Sequence, residues 1–138
     1  YVVWMVWRGQ ISDLHVQNRE ERLKPYLVAA AAATLGWAIC FLWPAPADFR
    51  MLAAATCLQA ILFLLITLRW KISLHSAAAG SLTVLGVAAF SLSGLYLALT
   101  VPLIAWARVR LERHTLMQTI AGAALVALVV AFAWFVTE

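Results

Sequence analysis

Charge is scarce in this chain: 12% of its 138 residues are charged, with six acidic residues against ten Lys and Arg. That is too little polar surface to cover the core of a soluble domain of this length, which excludes a soluble fold. Cysteine is limited to Cys40 and Cys57, both inside apolar blocks. A disulfide is not expected there; small buried hydrophobes are. No apolar block carries an ionisable residue near its middle, which argues against a transporter. Three histidines (His15, His75 and His114) come without a clustered set of carboxylates, so their spacing gives no metal site, and no cofactor is expected. Internal repeats and low-complexity linkers are lacking as well.

What the chain does have is hydrocarbon. Apolar residues make up 65% of it, mean hydropathy is +0.92, and these residues come in long blocks rather than amphipathic stripes. The expected fold is all-α: a polytopic transmembrane helical bundle forming one domain over 1–138, with about five complete spans plus a truncated N-terminal one. The opening run Tyr1–Trp7 reads as the tail of a span that starts earlier, having neither the basic leader nor the cleavage pattern of a signal peptide. Residues 8–25 read as a polar interfacial segment, a loop leading into a short helix around Asn18–Arg22. Complete spans are expected over Tyr26–Trp43, Met51–Leu68, Ser73–Phe90, Leu95–Trp106 (broken by Pro102) and Leu116–Val136. The turns between them fall at Pro44–Arg50, Arg69–Lys71, Ser91–Gly94 and Ala107–His114. Small-residue runs at Ala29–Ala33, Ala53–Ala55 and Ala77–Gly80 suit close helix packing in lipid, and Thr56 and Gln59 suit bonds between helices. Trp7, Trp70 and Trp106, then Trp43 and Trp134, suit interfacial belts.

Counting crossings places Arg8–Lys24, Arg69–His75 and Arg108–His114 on one membrane face. Nine of the ten Lys and Arg residues then lie together, with Arg50 alone opposite. The positive-inside rule makes that face cytoplasmic in a multi-pass cell-membrane protein. All three histidines share it, and cations converging at a membrane surface suit an anion such as phosphate. Singly, His75 and His114 also read as interfacial residues that cap helices. Axial ligation of a pigment fits them less well, because they sit at helix ends among cations.

Three stretches carry a resemblance to a known family. These are Ile72-Ser73-Leu74-His75, the run from Ala107-Arg108 through His114 to Gln118 and Gly122, and Lys24-Pro25 with Gln17 seven residues before Lys24. The chain resembles the type 2 phosphatidic acid phosphatase superfamily of membrane lipid phosphatases, whose signatures are K-x-x-x-x-x-x-R-P, P-S-G-H and S-R-x-x-x-x-x-H-x-x-x-D. The resemblance implies that His114 attacks phosphorus to form a phosphohistidine, while His75 protonates the leaving group. It implies that Arg108 and Lys24 clamp phosphate and that Ser73 donates a hydrogen bond; Lys71 and Arg69, without counterparts in the signatures, are near enough in sequence to help. Gln118 takes the place of the Asp that orients the nucleophile.

The departures define the alternatives. Gln118 is neutral, Ala107 replaces the signature serine, Ile72 and Leu74 replace Pro and Gly, and Gln17 replaces lysine. An amide can hold a histidine ring but supplies no charge, unless Asp13 or Glu112 substitutes for the missing carboxylate. The expected function is a phosphatase of a lipid phosphate or an isoprenoid diphosphate. The alternative is a catalytically degenerate relative, acting as an accessory subunit of a membrane complex or as a binder of anionic lipid. Membrane lipid, a phosphorylated lipid substrate and a membrane-complex partner are the expected associations, and nucleic acid is not among them.

Overall fold

The computed structural model describes residues 1–12 and 20–137, and among them every regular element is helical. Asp13, His15, Gln17 and the Asn18–Arg19 part of the expected interfacial helix lie outside the described residues. The chain divides into two compact units, Tyr1–Lys71 and Ile72–Glu138.

The first unit holds α1 (Val2–Trp7), α2 (Leu23–Leu42) and α3 (Ala47–Thr67). Met5 and Ile11 are buried together, with Val2 and Val6 packed against them. A 3-10 turn at Glu20–Arg22 leads into α2, and Glu21 Oε2 accepts from both the backbone N–H (2.9 Å) and the hydroxyl (2.8 Å) of Ser12. α2 starts three residues before the expected Tyr26, because Pro25 is its third residue, where a helix has no use for the missing N–H. Extended backbone at Trp43 ends α2, and Asp48 in the first turn of α3 complements the helix dipole. α2 and α3 pack on each other. Tyr26 meets Phe63 edge-on at 6.4 Å between ring centres. Thr34 Oγ1 donates to Ala30 O at 2.8 Å and lies 3.4 Å from Cys57 Sγ. Both cysteines are free thiols, Cys57 buried and Cys40 half-buried. Thr56 turns back on its own helix, bonding Leu52 O at 2.8 Å, where an interhelical bond was expected.

The second unit holds α4 (Leu74–Phe90), a 3-10 segment (Ser91–Leu99), α5 (Thr100–Arg110) and α6 (Leu116–Thr137). Residues 74–110 form a continuous helical stretch of 37 residues, largely apolar, but the stretch is doubled back on itself. Ser91 has φ 54°, in the left-handed region. Gly94 lies so close to the Gly86 carbonyl that a Cβ on Gly94 has no room. Eight residues of continuous helix would hold those two about 12 Å apart. Pro102 does not break α5 as its sequence position suggests. It is the third residue of the helix, again in the first turn. α4 packs chiefly on α6 and on the 3-10 segment. The Ser73 N–H donates to Gln118 O at 3.2 Å, so α4 and α6 start at the same end of this unit.

Among the described residues, four helical segments are long and apolar enough to cross a membrane: Leu23–Leu42, Ala47–Thr67, Leu74–Arg110 and Leu116–Ala133. Their outward surfaces are hydrocarbon, with Leu35, Phe41, Leu82, Leu103, Leu128 and Phe132 all exposed. That is the make-up of a membrane protein.

Candidate functional site

The richest polar corner of the second unit is the five-residue connection between α5 and α6. Arg108 and Arg110 sit in the last turn of α5, where cations meet the negative end of the helix dipole. The helix then closes by a Schellman motif. The Glu112 N–H donates to Val109 O at 2.9 Å, and the Arg113 N–H donates to Arg108 O at 3.0 Å. The His114 N–H reaches the same Arg108 carbonyl at 3.3 Å, which ties His114 to the end of α5. Glu112 stands at the position of this motif where glycine is usual, with φ 53°. For a residue with a Cβ, that conformation costs about 1 kcal/mol. Glu112→Gly is therefore expected to raise stability by about 0.5 kcal/mol, read as a higher thermal midpoint in detergent.

α6 opens with a capping box, Thr115-Leu116-Met117-Gln118. The Gln118 N–H donates to Thr115 Oγ1 at 3.3 Å, and the Thr115 N–H donates to Gln118 Oε1 at 3.1 Å. His114, 7% exposed, brings its Nδ1 to 3.2 Å from the same Gln118 Oε1. An atom that receives a backbone N–H must be the amide oxygen, so His114 Nδ1 is the donor in this bond. The neutral ring therefore keeps its lone pair on Nε2.

Ser73 caps the N-terminus of α4, its Oγ accepting from the Ser76 N–H at 3.3 Å and from the Ser76 hydroxyl at 3.1 Å. Both serines are fully buried. The Ser73 carbonyl lies against Gly122 of α6 too closely for a Cβ. Backbone and side-chain bonds thus bring Ser73, Arg108, His114 and Gln118 to one end of the second unit. His75 is on the first turn of α4, two residues from the Ser73 cap, and is exposed. Lys24 and Lys71 belong to the first unit, Lys24 exposed on the first turn of α2 and Lys71 half-buried at the unit's last position. Among the described residues no group of His, Cys, Asp and Glu is arranged to hold a metal ion.

Sequence reasoning assigns Gln118 only an orienting role and leaves Thr115 without one. The T-x-x-Q signal of a capping box was present, and it explains both residues. The left-handed Glu112 carries no such signal. Compared with protein families, curated proteins and solved structures, the chain matches none.

Proposed function

We propose that this protein is a membrane phosphatase acting on a lipid phosphate or an isoprenoid diphosphate through a phosphohistidine at His114. The observation that carries the reading is the double use of Gln118 Oε1, which accepts from Thr115 N–H and from His114 Nδ1. A nucleophilic histidine needs its second nitrogen held by an acceptor, so that the lone pair on Nε2 points at phosphorus. In the proposed reaction Nε2 attacks phosphorus, the P–O bond to the lipid breaks, and His75 gives the leaving oxygen its proton. Water then attacks the phosphohistidine, releasing inorganic phosphate and restoring the ring. Arg108 neutralises the phosphoryl oxygens, and Ser73 supplies the polar edge of the site.

The proposal includes a finer topology of five complete crossings, the fourth formed by the 3-10 segment and α5 together. The reversal at Ser91 supports it. The crowding of cations on one face favours a cytoplasmic site, and a reporter fused to the C-terminus, expected on the opposite side, tests this. A second reading is favoured by the neutrality of Gln118: a phosphatase-like fold without turnover, serving as an accessory subunit or as an anionic-lipid binder.

The deciding experiment gives the purified protein phosphatidic acid, phosphatidylglycerol phosphate and a polyprenyl diphosphate, and measures phosphate release beside His114→Ala. Release that His114→Ala abolishes and His75→Ala strongly reduces is the expected result. Release that survives His114→Ala sinks the mechanism, and no release from any of the three moves the reading to the accessory subunit.

A further inference from the structure

An apolar groove of about 460 Å³ runs along α5 and reaches the first turn of α6, inside the second unit. That volume falls within the roughly 300–1,000 Å³ typical of small-molecule sites. Its α5 wall is formed by Val101, Pro102, Ala105, Trp106 and Arg110, and Leu116 contributes from α6. Val101 and Ala105, like Pro102, Trp106 and Arg110, recur at four-residue steps and so line one face of the helix. The wall from Val101 to Arg110 is about 14 Å long at 1.5 Å per residue. Thr119 also borders the groove, but its hydroxyl is engaged with Leu116 O at 2.7 Å. Arg110 is the one charged residue in the lining, and it stands at the loop end, two residues from Arg108 and four from His114.

A hydrocarbon slot with a single cation at its polar end matches one kind of occupant in shape and in charge. We propose that the groove holds the hydrocarbon chain of a phosphorylated membrane lipid, with Arg110 meeting its anionic headgroup. Trp106 stands beside the chain, with its ring at interfacial depth. The inference rests on the phosphatase reading only in making this lipid the substrate; binding itself needs no turnover. Ordinary annular lipid would fill any outward groove, but without preference for headgroup charge, and that difference decides the matter.

Trp106 is the reporter. His114→Ala protein, which does not consume the lipid, is placed in detergent micelles containing phosphatidic acid or phosphatidylcholine brominated on the same acyl chains. The quenching due to Trp106 is the difference between this protein and its Trp106→Phe counterpart. Phosphatidic acid is expected to quench several-fold more strongly than phosphatidylcholine at equal mole fraction. Arg110→Gln is expected to make the two lipids equal, and Ala105→Phe, which fills the groove, to weaken quenching by both. Equal quenching by the two lipids before any change at Arg110 overturns the proposal. Headgroup-selective quenching without phosphate release from the unsubstituted protein removes the phosphatase reading and keeps the groove. Phosphate release with headgroup-blind quenching does the reverse.

Discussion

Gln118→Leu is expected to lower phosphate release by about 10²–10³-fold, within the range that positioned acid–base groups supply, and Gln118→Glu to raise it by about tenfold. Leucine removes the acceptor for His114 Nδ1 and for the Thr115 N–H together. The ring loses its fixed tautomer, and α6 loses half of its capping box, at a cost of about 1 kcal/mol in stability. Glutamate is isosteric with glutamine and serves equally well in a capping box, so both bonds survive. Its negative charge stabilises the imidazolium character that develops at His114, and it sits near the positive end of α6. In a serine-protease triad, changing the carboxylate to an amide costs about 10⁴ in kcat because the histidine is left in the wrong tautomer. Here the Thr115 N–H turns the amide oxygen toward His114, so only the missing charge remains to be made good. The measurements are kcat on phosphatidic acid and thermal unfolding of each variant in detergent. If Gln118→Leu loses stability while keeping full turnover, Gln118 is a cap and nothing more, and the mechanism built on it fails.

Much of this fold was legible because lipid-compatible helices announce themselves by length. α4 and α6 start where the sequence places them, since Ser73 and Thr115 are good capping residues and the blocks that follow are mostly apolar and carry no Asp, Glu, Lys or Arg. Misplaced boundaries share one cause. Lys24-Pro25 before the second block, Asp48 and Arg50 before the third, and Arg108 and Arg110 after α5 look like loop residues. Helix ends tolerate all of them, because end charges meet the dipole and a first-turn proline forfeits no bond. The turn at Ser91 was readable from Ser91–Gly94, but the 3-10 form of the nine residues Ser91–Leu99 was not. It depends on the close approach of Gly94 to Gly86, a tertiary contact that no local pattern encodes. At the site, the family resemblance grouped Arg108, His114 and Gln118, and local bonds join the three: His114 N–H to Arg108 O, and His114 Nδ1 to Gln118 Oε1. The Schellman turn that binds Arg108 O to the N–H of Arg113, and so brings the His114 N–H to the same oxygen, depends on a glutamate in a glycine-like conformation, and nothing in its sequence suggests it.

Gly122→Val is expected to unfold the second unit or to lower its stability by about 3 kcal/mol, the upper range for overpacking. A Cβ at Gly122 would collide with the Ser73 carbonyl oxygen and lie 3.3 Å from the Ser73 carbonyl carbon and 3.5 Å from the Ala77 nitrogen. All three are backbone atoms, so no rotamer change relieves the contact. α6 must move off α4, and the bond from the Ser73 N–H to Gln118 O, 3.2 Å long, breaks with it. Within lipid this loss is not offset by hydrophobic association, because the separated helices find equally apolar neighbours in the acyl chains. Gly80 makes the same kind of contact further along, where a Cβ would stand 2.5 Å from Ala123 O, so Gly80→Val is expected to act in the same direction. Gly36 provides the control: a Cβ there meets nothing within 4 Å, and Gly36→Ala is expected to be neutral or slightly stabilising. Thermal unfolding in detergent gives the stability of each variant. Hydrogen exchange at the Ser73 amide shows whether α4 and α6 have parted. Unchanged protection of that amide in Gly122→Val would mean that the two helices do not meet as closely as Ser73 and Gly122 require.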